Sequence, residues 1–379
     1  NDRSTRRTET RIGMSGIIVA GVEAGGTTFL VCTAEVSTNA KPRILHRREV
    51  DSSHSSPIDT IQQCVEFFED FKPQGGYDAI GIASFGPIGL NETDRHYGCI
   101  LPGSPKAAWR NINLLEPFVK ACKGTKKMAV KIETDVNAPA FAEFLEMKDL
   151  LSSVAYVTVG TGVGVGLVVN GSPVHGWMHP EGGHVPIQPL PGDKFKGYTW
   201  GDKAPFKGRN TVEGISSSVA LTERLEMITG KRDLSRASLA SLDDDHEVWD
   251  HAANALANLA TTLILTTSVE KIVFGGGVMN RECLLEKIRE RTLQLLNGYI
   301  DLPDMSTFIT GSSYGSDVGL ISAILLAQQA YHSSLTDAER TDGNGGKLTL
   351  YREGFLHGSL LGVLVTMAGT LVMRGFSKR

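Results

Sequence analysis

The sequence predicts an α/β protein built as two similar lobes that face each other across a cleft. Three observations carry the prediction. The stretch Ile17 to Val36, IIVAGVEAGGTTFLVCTAEV, sets two apolar, β-branched runs on either side of Gly25-Gly26-Thr27-Thr28, the pattern of a strand, a tight turn and a returning strand. The same pattern returns at Val154 to Val169, VAYVTVGTGVGVGLVV. The chain has 379 residues, beyond the ~250–300 at which a single core stops growing. Taken alone, an ordinary hairpin whose glycines serve only the turn explains the first stretch well. The repeat is what points to paired lobes.

The elements follow in order. After the opening hairpin, Pro42 to Val50 supplies a third strand. Ser56-Pro57 reads as a helix N-cap with proline at the first helical position. Ile58, Ile61, Val65 and Phe68 then fall at helical spacing. Asp78 to Phe85 is a buried strand that stops at Gly86-Pro87, and Pro102 to Trp109 reads as loop. Ala129 to Thr134 is a short strand running into Asp135-Val136-Asn137 and a helix through Met147. Meandering strands followed by strand–helix alternation make an α/β lobe. The second lobe opens with the Val154 to Val174 hairpin set, and Pro180 to Thr211 is Gly/Pro-rich with little periodicity. Helices are predicted over Val212 to Thr229, Glu247 to Ser268, Glu282 to about Leu296 and Asp317 to Tyr331, with a strand at Lys271 to Phe274 opening onto Gly275-Gly276-Gly277.

The bulk properties exclude several classes. Hydrophobic residues make up 41% and charged residues 21%, with a formal net charge of −4, values of a globular chain without the basic footprint of a nucleic-acid binder. The five cysteines, Cys32, Cys64, Cys99, Cys122 and Cys283, are scattered with no Cys-x-x-Cys pair. That fits a reducing compartment such as the cytoplasm and neither a disulfide frame nor a thiolate zinc site. Residues 1–15 are Arg/Thr-rich without an apolar run, so they read as a disordered or targeting segment rather than a secretory signal. Residues 333–354 read as a polar linker. Phe355 to Met373, FLHGSLLGVLVTMAGTLVM, is an apolar run near the ~20 residues that span a bilayer. It is expected to be a tail anchor in an organelle membrane, or else a helix docked on the protein or a second subunit.

No stretch matches G-x-x-x-x-G-K-[ST] or H-E-x-x-H. Three Gly-rich turns instead follow apolar strands: Gly25-Gly26-Thr27-Thr28, Gly160-Thr161-Gly162-Val163-Gly164 and Gly275-Gly276-Gly277. Glycines let a backbone approach a ligand closely, and threonine hydroxyls add donors. Three such turns suit a nucleotide whose phosphates lie between two hairpins and whose base packs by the third. Asp135 sits where a strand gives way to a helix. A helix N-cap explains it by itself; a general base at a strand's carboxyl end is the other role, and one oxygen can cap while the other faces the cleft. In His179-Pro180-Glu181-Gly182-Gly183-His184, Glu181 and His184 are close enough to reach one polyol.

In order and at these spacings, seven segments resemble the ROK family of sugar kinases, most closely its bacterial-type fructokinases, over about Gly16 to Gln329. They are Gly21-Val22-Glu23-Ala24-Gly25-Gly26-Thr27, Ser84-Phe85-Gly86-Pro87, Pro105-Lys106-Ala107-Ala108-Trp109, Thr134-Asp135-Val136-Asn137-Ala138, Gly160 to Gly164, His179 to His184 and Gly275-Gly276-Gly277-Val278-Met279. The resemblance implies a two-lobed actin-like ATPase (ribonuclease H-like) fold with a central cleft. The first lobe would cover residues 16–137, the second 138–316, with a final helix over 317–332 packing back on the first. It also implies ATP-dependent phosphorylation of a hexose: D-fructose at its 6-position, or another such as glucose, mannose or an N-acetylated sugar. A sugar- or nucleotide-binding protein without turnover is the competing class.

By the same resemblance, Asp135 would be the base, and Asn137, Glu181, His184 and Glu213 sugar contacts, with Ser84, Gly86 and Pro87 lining the pocket. Gly25, Gly26, Thr27 and Thr28 with Gly160, Thr161, Gly162 and Gly164 would hold the phosphates and Mg²⁺, and Gly275, Gly276 and Gly277 the adenosine. Family members are commonly dimers. The DNA-binding relatives place a helix-turn-helix before the first hairpin, and the sixteen residues here are too few for one. Two departures stand out. Thr28 occupies a position where these fructokinases usually have lysine. The zinc ligands the family takes from a following Cys-rich segment are Ala204, Lys207 and Asn210 or Thr211 here, so zinc is predicted absent. Order in that loop is then expected to come from packing by Phe195, Trp200 and Phe206, or else the loop is mobile.

Overall fold

The structure is a computed structural model that describes residues 16–37, 40–200 and 206–342. The leader at 1–15, the apolar run at 355–373 and the end of the linker lie outside the described residues. Among the described residues no helix is long and apolar enough to cross a membrane. The chain divides into compact units at 1–332 and 333–379, and the first contains both sheets.

In chain order the first lobe holds β1 (Ile17–Ala24), β2 (Thr28–Ser37), β3 (Ala40–Asp51), α1 (Pro57–Asp70), β4 (Ala79–Ser84), α2 (Leu115–Cys122) and β5 (Ala129–Thr134). Its five strands pair in the order β3-β2-β1-β4-β5. β1 and β2 are antiparallel, in register from Ile17 opposite Val36 to Ala24 opposite Phe29, as the alternation around the Gly-Gly-Thr-Thr turn requires. β1, β4 and β5 run parallel, which brings Ala24, Ser84 and Thr134 level at one edge. The Ser56 side chain caps α1 by accepting the Asp59 N–H, with Pro57 in the first turn. Cys64, Phe67 and Phe68 on its inner face pack against Tyr77 and Phe118 beneath the sheet.

The second lobe follows α3 (Asn137–Met147). It comprises β6 (Val154–Val159), β7 (Val163–Val169), β8 (Ser172–Pro173), α4 (Val212–Ser216), α5 (Ser218–Thr229), α6 (Arg236–Ala240), α7 (Glu247–Thr267), β9 (Lys271–Gly275), α8 (Cys283–Leu296), α9 (Met305–Phe308) and β10 (Ile309–Gly311). Its sheet runs β10-β9-β6-β7-β8, with β6–β7 antiparallel and β6–β9 parallel, an arrangement that echoes the first lobe. The long α10 (Val318–Asp342) then returns. Leu320, Ile324 and Ala327 pack on Val19, Cys32 and Ala34 of the first sheet, while Val318, Ala323 and Leu326 join Ala83, Tyr156 and Val273. One helix thus ties the lobes together. It lies so close to β4 that a Cβ at Gly81 would meet the Ala323 carbonyl oxygen at 2.0 Å.

Besides the short α6, α9 and β10, which the sequence reading did not include, the structure departs from it in three places. The helix expected over Val212–Thr229 breaks at Ser217, whose extended backbone (φ −66°, ψ 159°) ends α4 and whose side chain caps α5. Consecutive serines (Ser216, Ser217, Ser218) compete with the helix for backbone partners. α2 has the apolar face Phe118, Ala121 and Cys122, too short for periodicity to single out. α10 continues through Asp342 into the segment read as linker, since its glycines begin only at Gly343.

Candidate active site

The parallel register of the first sheet builds one side of the site. Phe85 donates its N–H to the Ala24 carbonyl and Asp135 donates its N–H to the Ser84 carbonyl, both at 2.8 Å. The Gly25–Thr28 turn, the Gly86-Pro87 bend and Asp135 therefore leave adjacent strands at the same level. This is the carboxyl edge where open α/β sheets bind ligands. Gly26 and Thr27 are exposed. Ser84 is buried, its hydroxyl donating to the Phe85 carbonyl, and Gly86-Pro87 is a cis peptide with the buried His179 imidazole lying 3.0 Å from where a Gly86 Cβ would stand. Lys106 reaches the same edge. Its Nζ lies 4.8 Å from the Phe85 ring centroid and 3.8 Å from where a Gly26 Cβ would be.

The second lobe builds the facing side. Gly160 receives the Ser218 N–H on its carbonyl at 2.8 Å, so the break between α4 and α5 sets the start of α5 against the second glycine turn. Gly276 (φ 89°) brings the third turn so near that its Cβ would meet the Val159 carbonyl oxygen at 2.5 Å. A left-handed residue is needed there, and glycine adopts that conformation without cost. Between these turns lies a cavity of about 720 Å³ lined in part by Thr158, Gly160, Thr161, Gly276, Gly277 and Arg281. Arg281 stacks over Trp249 at 4.8 Å, and Arg236 donates to the Thr161 hydroxyl. A hollow of similar size beside Lys41, Glu146 and Gln328 contains none of the predicted site residues.

The polar cluster joins the two sides. Glu213 accepts the Val163 N–H at 2.9 Å and the Tyr198 hydroxyl at 2.6 Å, which fixes it under the second turn; a Cβ on Gly162 would strike its Oε2 at 2.6 Å. Gly164 packs its backbone on the Val136 side chain. Glu181 lies 3.5 Å from His179 Nδ1 and 3.9 Å from His184 Nε2. Burial, then the Glu213 and Asp135 charges, push its carboxyl up to about 7. Asp135 is raised by burial to about 6, against the pull of its own backbone N–H and of Lys106. Glu23 is raised to about 7 by burial and then by Asp135 and Asp317. Asp135 is thus the carboxylate felt from both directions, by Glu23 and Lys106 on the glycine-turn side and by Glu181 on the other.

Asn137 has a different place from a pocket-facing side chain. It is fully buried. Its Oδ1 accepts the Leu167 N–H at 2.9 Å, and its Nδ2 donates to Glu133 and to the Val174 carbonyl at 3.3 and 3.2 Å. Its amide therefore ties α3 to the second hairpin and holds the turn that carries Asp135. His184 stacks on Phe206 with ring centroids 4.4 Å apart, Phe195 packs under Arg224 at 4.7 Å, and Trp200 is 49% exposed. Phe206, though stacked on His184, is itself 44% exposed, so of the three aromatics named for that loop Phe195 is the one packed against the core. Lys106, Tyr198 and Arg236 carried no role in the sequence, because nothing in their local pattern says which turn they will meet.

Among the described residues no three His, Cys, Asp or Glu side chains converge to hold a metal ion by themselves. Glu23 Oε2 is nevertheless buried without a partner, beside Asp135 and Asp317. One carboxylate of that kind fits Mg²⁺, which is commonly held by one or two carboxylates together with substrate phosphates and water.

Two α/β lobes, each with a glycine turn at the carboxyl edge of its sheet and a carboxylate between them, define the actin-like ATPase fold. The chain belongs to the ROK family, whose model matches residues 19–330. Fructokinases of Zymomonas mobilis and Pediococcus pentosaceus are 34% and 31% identical to it, over 82% and 83% of this chain and 96% and 99% of theirs. The structure of a ROK hexokinase from Thermus thermophilus shares the fold at a TM-score of 0.62 and 23% identity, covering 85% of this chain and all of that one.

Proposed function

We propose that this protein is an ATP-dependent hexose kinase that acts on D-fructose to give fructose 6-phosphate. The observation that carries the proposal is the position of Asp135, at the carboxyl edge of β5, in electrostatic reach of Lys106 beside the first glycine turn and of Glu181. Family membership and the fructokinase relatives support the same chemistry and the same sugar. The 720 Å³ cavity beside Arg281 and Trp249 suits a nucleoside, with its phosphates directed to Gly160–Gly164 and Gly25–Thr28.

In the proposed step the sugar hydroxyl oxygen bonds to the γ-phosphorus and the bond from that phosphorus to the β–γ bridging oxygen breaks. The hydroxyl proton passes to Asp135, and ADP leaves. Glu181, Glu213 and His184 hold the other hydroxyls, with the Gly86-Pro87 bend forming the floor over the fully buried Ser84. Asn137 acts through Asp135, by fixing the start of α3. Mg²⁺ held by Glu23 and the phosphates would neutralise phosphate charge. Lobe closure excludes water as the competing acceptor.

The test is ADP release coupled to a colour readout across fructose, glucose, mannose and N-acetylmannosamine, with and without Mg²⁺, for the native chain and Asp135→Asn. Fructose is expected to give the highest kcat/KM. Asp135→Asn is expected to stay folded and lose about 10²- to 10⁴-fold in kcat. Undiminished turnover in that variant would remove Asp135 from the mechanism. Preference for another hexose would move the substrate and leave the chemistry in place.

A further inference from the structure

Lys106 is a half-buried cation at the cleft whose Nζ has no carboxylate within 4.0 Å among the described residues. Burial holds its ammonium below the ordinary lysine range, with the more distant Asp135 opposing that. A charge partly stripped of water and left without a counter-ion is costly unless a ligand supplies one. The Nζ lies over the Phe85 ring, 4.8 Å from its centroid, and the loop backbone that carries the side chain is held in place. Lys106 donates its N–H to Ser104 Oγ at 3.3 Å, and Ser104 Oγ donates to the Gly86 carbonyl at 3.3 Å. Arg110 Nε donates to the Ser104 carbonyl at 2.8 Å, and Trp109 donates its N–H to the Lys106 carbonyl at 3.0 Å. Trp109 itself is wedged between Phe29, stacked at 5.1 Å, and Phe85, edge-on at 5.6 Å. This loop delivers the ammonium to a point between Gly26 and Asp135, beside a turn that has no charged side chain of its own.

We infer that Lys106 is a catalytic residue that binds the oxygens of the terminal phosphoryl group of the nucleotide as that group is transferred. The inference rests on the kinase proposal above. Lys106 neither gains nor loses a proton in the step; it supplies a fixed positive charge where negative charge accumulates, an effect that grows in a water-poor site. Because that charge is aimed at the transferring group, its removal acts on kcat more than on sugar binding.

The experiment compares the native chain with Lys106→Met and Lys106→Arg. Lys106→Met is expected to lose about 10²- to 10³-fold in kcat, with the KM for sugar changed less than about threefold, and Lys106→Arg to recover part of the loss. In thermal unfolding, AMPPNP with Mg²⁺ is expected to stabilise the native chain more than ADP with Mg²⁺ does, and Lys106→Met to abolish that difference. A kcat equal to the native value, or a loss confined to the KM for sugar, overturns the assignment while the kinase proposal stands. If the native chain phosphorylates no hexose, the kinase proposal fails, and the AMPPNP–ADP difference decides Lys106. A difference lost in Lys106→Met supports a terminal-phosphate contact; a difference unchanged, or absent from the native chain, overturns it. A Lys106→Met protein that fails to fold shifts both readouts to Lys106→Arg, where native values support the role of the charge and a fully inactive folded variant overturns it.

Discussion

Asp135 can act as a base only when ionised, and its surroundings set the pH at which that happens. Burial lifts its carboxyl from 3.8 to about 6. With a pKa of about 6, the ionised fraction is about 90% at pH 7 and about 10% at pH 5. The free-enzyme kcat/KM should therefore fall roughly tenfold over that interval. An ordinary aspartate would still be more than about 90% ionised at pH 5, and the profile would be nearly flat. The assay is initial-rate ADP release at subsaturating sugar from pH 4.5 to 8.5, with each sample returned to pH 7.5 to show that activity recovers. Glu181 and Glu23 titrate nearby, near 7, so the acidic limb reports apparent values for the group. Lys106→Met supplies the internal control: its ammonium pulls the Asp135 carboxyl down, so the limb should move to higher pH without it. A profile level to pH 4.5, or a limb unmoved in Lys106→Met, would contradict the assigned role of the Asp135 environment.

Three further outcomes follow from the packing. Arg224→Met leaves Asp193, 3% exposed and held by two guanidinium bonds at 2.8 and 2.9 Å, buried beside His251; a loss of about 3–5 kcal/mol in urea unfolding is expected. Gly166→Ala places a Cβ 1.9 Å from the Val136 carbonyl oxygen, where backbone must give way, and is expected to cost about 1–3 kcal/mol and to lower kcat through the displaced Asp135. The Glu181 carboxyl rises from 4.5 to about 7 on folding, so the folded state binds its proton more tightly. The stability this contributes is full below 4.5 and is lost as pH rises through about 7. Glu181→Gln should therefore flatten the dependence of melting temperature on pH across that window.

Much of the fold was legible because it is written in local periodicity. Apolar runs broken by Gly/Thr turns gave both hairpins, and Ser56-Pro57 gave the start of α1. The serine run at Ser216–Ser218 was read through as helix, since a helix break depends on what receives the freed N–H, here the Gly160 carbonyl. Within the site, the glycine turns and Asp135 were legible from type and position. Asn137 was read as facing a sugar, yet it is fully buried and its amide bonds to Leu167, Glu133 and Val174, partners that no spacing announces.

The sequence by itself determined the two lobes, the three glycine turns and the carboxylate at the end of a strand, because hydrophobic alternation and turn chemistry act over a few residues. Only the tertiary structure decided which charges share a cleft. Glu23, Lys106, Asp135 and Glu181 come from four separate segments, and their ionisation depends on burial and mutual distance. Those quantities exist only once parallel register has brought the ends of β1, β4 and β5 level and α10 has tied the two lobes together.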